Sequence, residues 1–238
     1  EIGLTSLSTG DYTEFVPLAD ELLDRYSKDK ISISLPSLRI DAFSLDLMDR
    51  VQAVRKSGLT FAPEAGTQRL RDVINKGITE EEILNGCGLA FAGGWTRVKL
   101  YFMVGLPTET EEDLQGIVDL ANKICEKFFE IPKEDRKNKQ ISVVVSSACF
   151  VPKPFTPFQW EPQSTVQEFF DKQKYVKTHM TRKQVRYNYH EPELSSLEGV
   201  LARGDRKTSK LLYRAWELGC KFDGWNDIFD YSKWMQAF

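Results

Sequence analysis

The sequence predicts an α/β chain. Five or six βα units would share a parallel sheet, and a helical extension would follow. Three observations predict it. Short alternating or apolar runs are repeatedly followed by segments with apolar residues at helical spacing, the pattern of right-handed βαβ units. The runs end in Gly, Pro or small hydroxyl residues, and from Leu194 onward the pattern is helical, rich in Trp and Phe, without another clear strand. Five or six units are too few for a closed eight-unit barrel, so an open partial barrel or a doubly wound sheet remains. The division expected is a core over 1–190 and a helical extension over 191–238.

The elements follow in order. Ile2 to Leu7 reads as a first strand running into the turn Ser8-Thr9-Gly10-Asp11, then a helix with Leu18, Leu22 and Leu23 on one face. Ile31 to Leu35 alternates as a strand and stops at Pro36. A helix carrying Leu45, Met48, Val51 and Val54 ends at Gly58. Leu59 to Pro63 is a third strand, leading through Glu64-Ala65-Gly66 into a helix with Leu70, Val73 and Ile74. Thr79 and Glu82 form a capping box opening a helix with Ile83, Cys87 and Phe91 facing inward, broken at Gly93-Gly94. Arg97 to Val104 is a fourth strand. Thr110 caps a long helix striped by Leu114, Ile117, Val118, Ala121, Ile124, Cys125 and Phe128. After a charged loop, Lys133 to Lys139, comes Ile141 to Val151, apolar enough for a strand buried on both faces. Ser164 with Gln167 would cap the next helix, and Gln184 to Tyr189 is a sixth strand. Trp216, Phe222, Trp225, Phe229 and Trp234 read as packing residues.

A formal net charge of −3 argues against broad binding to nucleic acid or to an anionic membrane. No apolar run approaches the ~20 residues of a spanning helix, and no signal peptide precedes the first strand, so a cytoplasmic location is expected. Cys87, Cys125, Cys149 and Cys220 are widely scattered, whereas cluster ligation needs thiolates closely spaced on one loop. Cys87 and Cys125 read as core residues. His179 and His190 lack ligand spacing.

In either architecture ligands bind at the carboxyl ends of the strands. Those ends read Ser6-Leu7-Ser8-Thr9-Gly10-Asp11, Pro63-Glu64-Ala65-Gly66-Thr67, Gly105-Leu106-Pro107-Thr108-Glu109-Thr110 and Val151-Pro152-Lys153-Pro154-Phe155-Thr156-Pro157. Gly and Pro here suit backbone approached closely by a ligand. Glu64 ends an apolar strand, where a carboxylate needs a partner; it reads either as a ligand contact or as a cap for the next helix. Lys76, before Gly77 near a helix end, is equally a complement to the helix dipole.

Three of these segments carry a resemblance. Phe61-Ala62-Pro63-Glu64-Ala65-Gly66-Thr67-Gln68-Arg69-Leu70 through Asn75-Lys76-Gly77-Ile78-Thr79 resembles the fourth-strand segment of radical S-adenosylmethionine enzymes, especially the methylthiotransferase and coproporphyrinogen-dehydrogenase-like groups. Lys99 to Thr110 is similar to their fifth-strand segment and Val151 to Pro157 to their sixth. The tail, with Leu197-Glu198-Gly199 and Arg203-Gly204-Asp205-Arg206, resembles members carrying an N-terminal cobalamin-binding-like domain.

The resemblance implies a partial, open TIM-like barrel that binds S-adenosylmethionine. Ser8, Thr9 and Gly10 would receive the methionine amino group, although the Gly-Gly-Glu form of that motif is absent. Glu64 would accept from the ribose hydroxyls, and Lys76 would sit near the methionine carboxylate. Gly105, Leu106 and Pro107, with Val151 and Pro152, would form an apolar slot for adenine. Also implied are a [4Fe-4S] cluster on a Cys-x-x-x-Cys-x-x-Cys loop, a reductant such as flavodoxin or ferredoxin, and, through a separate domain, cobalamin. The chemistry is reductive cleavage to a 5′-deoxyadenosyl radical acting on an unidentified substrate. This sequence holds no such cysteine loop; Glu1 to Leu7 fits the family's second strand, so the loop is expected upstream of Glu1 in a longer protein, and the chain as given should not catalyse the reaction. Two other readings stay open, a non-redox module for a nucleotide-like ligand and a structural domain.

Overall fold

A computed structural model describes residues 2–5, 12–31, 33–34, 58–136 and 140–238. Ser8, Thr9, Gly10 and the helix expected over Leu45 to Val54 lie outside the described residues. The strands are β1 (Ile2–Gly3), β2 (Ile33–Ser34), β3 (Leu59–Glu64), β4 (Arg97–Val104), β5 (Ser142–Cys149) and β6 (Val185–Tyr189). The α-helices are α1 (Phe15–Tyr26), α2 (Gln68–Val73), α3 (Glu80–Gly93), α4 (Glu111–Glu130), α5 (Val166–His179), α6 (Pro192–Arg203), α7 (Thr208–Glu217) and α8 (Tyr231–Ala237).

The strand–helix alternation produces a parallel sheet of four strands in the order β3-β4-β5-β6, consistent with a partial TIM-like fold. Sequential strands lie side by side because each intervening helix returns the chain across one face. β1 and β2 form a separate parallel pair. Among the described residues no helix is long and apolar enough to cross a membrane.

The chain divides into two compact units, each drawn from several segments. The first comprises 1–103, 108–148 and 174–189. Its part of β4 alternates without interruption, burying Val98, Leu100 and Phe102 on one face. α4 buries Leu114, Ile117, Val118, Ala121, Ile124, Cys125 and Phe128, and Phe128 meets Phe91 of α3 edge to face at 5.5 Å. Ile83, Cys87 and Phe91 line the inward side of α3, behind the expected Thr79–Glu82 capping box and ahead of Gly94 in the left-handed region. Cys87 and Cys125 are core residues, as their helical positions predicted.

The second unit comprises 104–107, 149–173 and 190–238. Leu197, Ala215 and Trp234, from α6, α7 and α8, form its small core, with Leu211, Cys220 and Phe229 packed against them. Gln163 ties the unit together, donating to the Ser195 carbonyl at 2.9 Å and the Phe150 carbonyl at 3.4 Å.

Several expectations need correction. The buried stripe of α1 is Phe15, Ala19 and Leu23, spaced four apart, which turns Leu18 outward. α2 is too short to bury a second stripe, so Leu70 faces in and Val73 faces solvent. β5 alternates between buried and half-buried positions, so its second face is only partly covered. Thr165 and Glu168, one residue later than expected, form the box that opens α5, with Thr165 N–H donating to Glu168 at 2.7 Å. In the tail Trp234 is buried and Phe229 partly so. Trp216, Phe222 and Trp225 are exposed; on α7 the inward side is taken by Leu211 and Ala215, which turns Trp216 outward.

Candidate functional site

β3 ends irregularly. Its pairing with β4 runs in register from Leu59 to Phe61, but the next partners are Glu64 and Phe102, so three residues of β3 oppose two of β4. A bulge of this kind re-aims the side chain that follows it. Glu64 also has φ 66°, in the left-handed region that a glutamate adopts only at a cost of roughly 1 kcal/mol. Its carboxylate is half-buried and lies 3.5 Å from the Lys76 ammonium. Burial raises the Glu64 pKa above the ordinary glutamate value, and Lys76 only partly offsets this.

Lys76 reaches that position through the end of α2. Asn75, at φ 54°, bonds back from its N–H to the Asp72 carbonyl at 3.0 Å. The Lys76 N–H bonds to the Arg71 carbonyl at 2.8 Å. This pair of bonds, with the left-handed residue between them, is a Schellman turn. It reverses the chain and returns Lys76 toward the tip of β3. The structure thus brings together two residues that the sequence placed twelve positions apart.

The loop between Glu64 and α2 is seated on α4. A Cβ at Gly66 would stand 2.3 Å from the Asp113 carbonyl oxygen and 2.4 Å from the Ile117 nitrogen. A Cβ at Gly116 would stand 2.8 Å from the Gly66 carbonyl carbon. Backbone therefore touches backbone here, and only glycine fits on either side. Thr67, the N-cap of α2, accepts from the Leu70 N–H at 3.2 Å and donates its hydroxyl to Asp113. Asp113 also accepts from the Thr110 N–H at 2.8 Å and from the Arg69 guanidinium. Arg69 extends to the Thr108 carbonyl at 2.9 Å. Burial alone would push the Asp113 carboxyl up; the hydrogen bonds from Thr67, Thr110 and Arg69 outweigh it and hold the group below its ordinary value.

The other expected positions belong to the second unit. Gly105 has φ 81°, and a Cβ there would lie 2.5 Å from the Phe169 ring, so this position excludes side chains on both counts. Leu106 and Pro152 are buried; Pro107 and Val151 are half-buried. The Phe150 N–H donates to the Val104 carbonyl at 2.8 Å, which lays residues 104–107 beside 149–152. Gly105, Leu106 and Pro107 thus follow one of the two residues joined by that backbone bond, and Val151 and Pro152 follow the other.

Sequence reasoning missed Thr67, Arg69, Arg71, Thr108 and Asp113. Asp113 had a readable signal, an acid at the third position after the Thr110 cap. Arg71 had none, since arginine on a short helix normally faces water.

The residues present do not fit an iron–sulfur cluster. Cys87, Cys125 and Cys149 are buried, Cys220 is half-buried, and no group of three or more Cys, His, Asp or Glu able to hold a metal occurs among the described residues. Burial pushes the Cys125 and Cys149 thiols up to about 11 and Cys87 higher still, whereas ligation needs thiolate.

The parallel strands alternating with helices define an α/β protein whose third strand ends in a bulged, carboxylate-bearing tip. The chain belongs to the radical SAM superfamily, whose model matches residues 1–121. It is also 37% identical over 212 residues to "Uncharacterized protein MJ0966" of Methanocaldococcus jannaschii. That alignment takes in 89% of this chain and 43% of the relative, so the chain spans less than half the length of the protein it matches.

Proposed function

We propose that this chain supplies S-adenosylmethionine-contacting strands of a radical SAM enzyme. The whole protein would cleave the sulfonium reductively to a 5′-deoxyadenosyl radical, drawing electrons from a flavodoxin- or ferredoxin-like reductant. In this reading Glu64 accepts from the ribose hydroxyls. Lys76 offsets the methionine carboxylate. Gly105, Leu106 and Pro107, with Val151 and Pro152, contact adenine, and Ser8, Thr9 and Gly10 receive the amino group. The cluster ligands lie outside this chain's own residues.

The observation that carries the reading is the Glu64–Lys76 pair. An acceptor-only carboxylate and a three-donor ammonium, half-buried together at a strand tip, match a ribose diol and a carboxylate in chemistry. The test uses the whole protein with its cluster loaded, comparing wild type with Glu64→Gln and Lys76→Met. Each variant should bind S-adenosylmethionine about tenfold or more weakly, the loss of one charge-assisted hydrogen bond. Each should also form less 5′-deoxyadenosine after reduction. Wild-type affinity in both variants would refute the assignment.

A further inference from the structure

Arg71 is the largest fully buried side chain among the described residues, at 0% exposure, yet it makes its hydrogen bonds to neutral oxygens. Its Nη1 donates to the Ala65 carbonyl at 3.0 Å and the Gly66 carbonyl at 3.3 Å. Its Nε and Nη2 donate to Gln68 Oε1 at 3.3 and 3.2 Å. Its own carbonyl accepts the Lys76 N–H. One residue therefore grips both peptides that follow Glu64 and the turn that delivers Lys76.

Stability alone does not account for such a group. A buried guanidinium without a bonded carboxylate bears its desolvation cost largely uncompensated, and apolar replacement of buried charges is often neutral or stabilising. Burial lowers the Arg71 pKa, and Glu80 and Asp72 counter it from a distance. What the fork does supply is geometry. Five donors in one plane can fix two successive carbonyls at once. Those carbonyls follow directly on the residue held at φ 66°.

We infer that Arg71 is a positioning residue: it holds the Ala65 and Gly66 carbonyls with its side chain and Lys76 with its backbone, so that Glu64 and Lys76 face each other. The consequence for ligand binding rests on the function proposed above, but the positioning itself does not.

The test reads Glu64 directly. The Glu64 carboxyl is titrated by carbon-detected NMR in this chain as wild type, Arg71→Met, Arg71→Lys and Gln68→Ala. Thermal melts run alongside. A merely structural arginine would change the melt and leave the Glu64 midpoint where it is. Positioning predicts that Arg71→Met lets the carboxyl relax toward water, so its midpoint falls toward the ordinary glutamate value, with Arg71→Lys intermediate. Gln68→Ala removes the acceptor on one side of the guanidinium from a half-buried site, and should shift the midpoint in the same direction by less. An unchanged midpoint in Gln68→Ala, and in whichever Arg71 variants fold, overturns the inference. In the cluster-loaded whole protein, Arg71→Met should also weaken S-adenosylmethionine binding. If Glu64→Gln binds normally while the Arg71 midpoint shift is present, the proposed function fails and the positioning stands.

Discussion

The contact between Gly66 and Gly116 can be tested by adding one methyl group at a time. Ordinary van der Waals contact begins near 3.4 Å, so a Cβ at Gly66 needs its backbone neighbours to retreat by about 1 Å, and one at Gly116 by about half that. The neighbours are the α4 main chain and the loop after β3, neither able to yield as a flexible side chain would. Overpacking of this kind costs about 1–3 kcal/mol, sometimes more. Gly66→Ala should sit at the upper end, about 3 kcal/mol. Gly116 lies inside α4, so Gly116→Ala also gains about 1 kcal/mol of helix propensity, leaving a net loss of about 1–2 kcal/mol. Gly88 in α3 is the control, because a Cβ there meets nothing within 4 Å. Gly88→Ala should stabilise by the propensity gain alone. At roughly 2–4 °C per kcal/mol for a chain of this size, thermal melts should show Gly66→Ala down by about 6–12 °C, Gly116→Ala down by about 2–8 °C and Gly88→Ala up by about 2–4 °C. If Gly116→Ala rises together with Gly88→Ala, the close approach does not exist, and the account of what seats the Glu64 loop is wrong.

Two further outcomes follow from titration. Because burial holds the Glu64 pKa above its unfolded value, its contribution to stability is whole below the unfolded pKa and declines as pH rises through the folded one. Glu64→Gln should therefore raise the melting temperature at pH 7–8, with the gain gone near pH 4; an equal gain at both pH values would refute the assignment. Burial pushes the Cys125 and Cys149 thiols up to about 11, and Cys87 higher still, so at pH 8 all three stay protonated. Timed alkylation read by mass spectrometry should label half-buried Cys220 first and the other three only on unfolding. Equal rates at all four would contradict the burial described.

Periodicity made much of this fold legible. β4 starts and stops at the residues its alternation indicates, and the α4 stripe is the one the 3.6-residue period picks out, because both elements bury a full face. Legibility failed where burial is partial. In the short helix α2 the inward side is taken by Leu70 and Arg71, so Val73 and Arg71 exchange the environments their chemistry suggests. Composition likewise could not say that Tyr213 and Trp216 would lie tilted against each other at 5.8 Å, both exposed on α7, while Ala215 is buried. The bulge before Glu64 takes in Pro63, which cannot donate to a strand ladder, but where the register slips depends on how two strands pair.

The irregularities of the first unit are not scattered evenly. A bulge, a left-handed glutamate and a half-buried carboxylate coincide at Glu64, and each is a cost the fold could have avoided with another residue. The surrounding groups do the reverse. The Gly66–Gly116 contact, the Thr67–Asp113–Arg69 network and the buried Arg71 all hold the adjoining loop in place. Strain at one residue, braced from three sides, is the arrangement expected where a side chain is kept ready for a ligand, because an unbraced loop would relax to ordinary backbone and lose the pose. A purely structural loop has no need of the strain, and a purely catalytic one could not keep it without the brace. The opposite signs forecast for Glu64→Gln and Gly66→Ala follow from that division. Two substitutions two residues apart should move the melting temperature in opposite directions at neutral pH, Glu64→Gln upward because the half-buried charge is removed and Gly66→Ala downward because the brace is displaced.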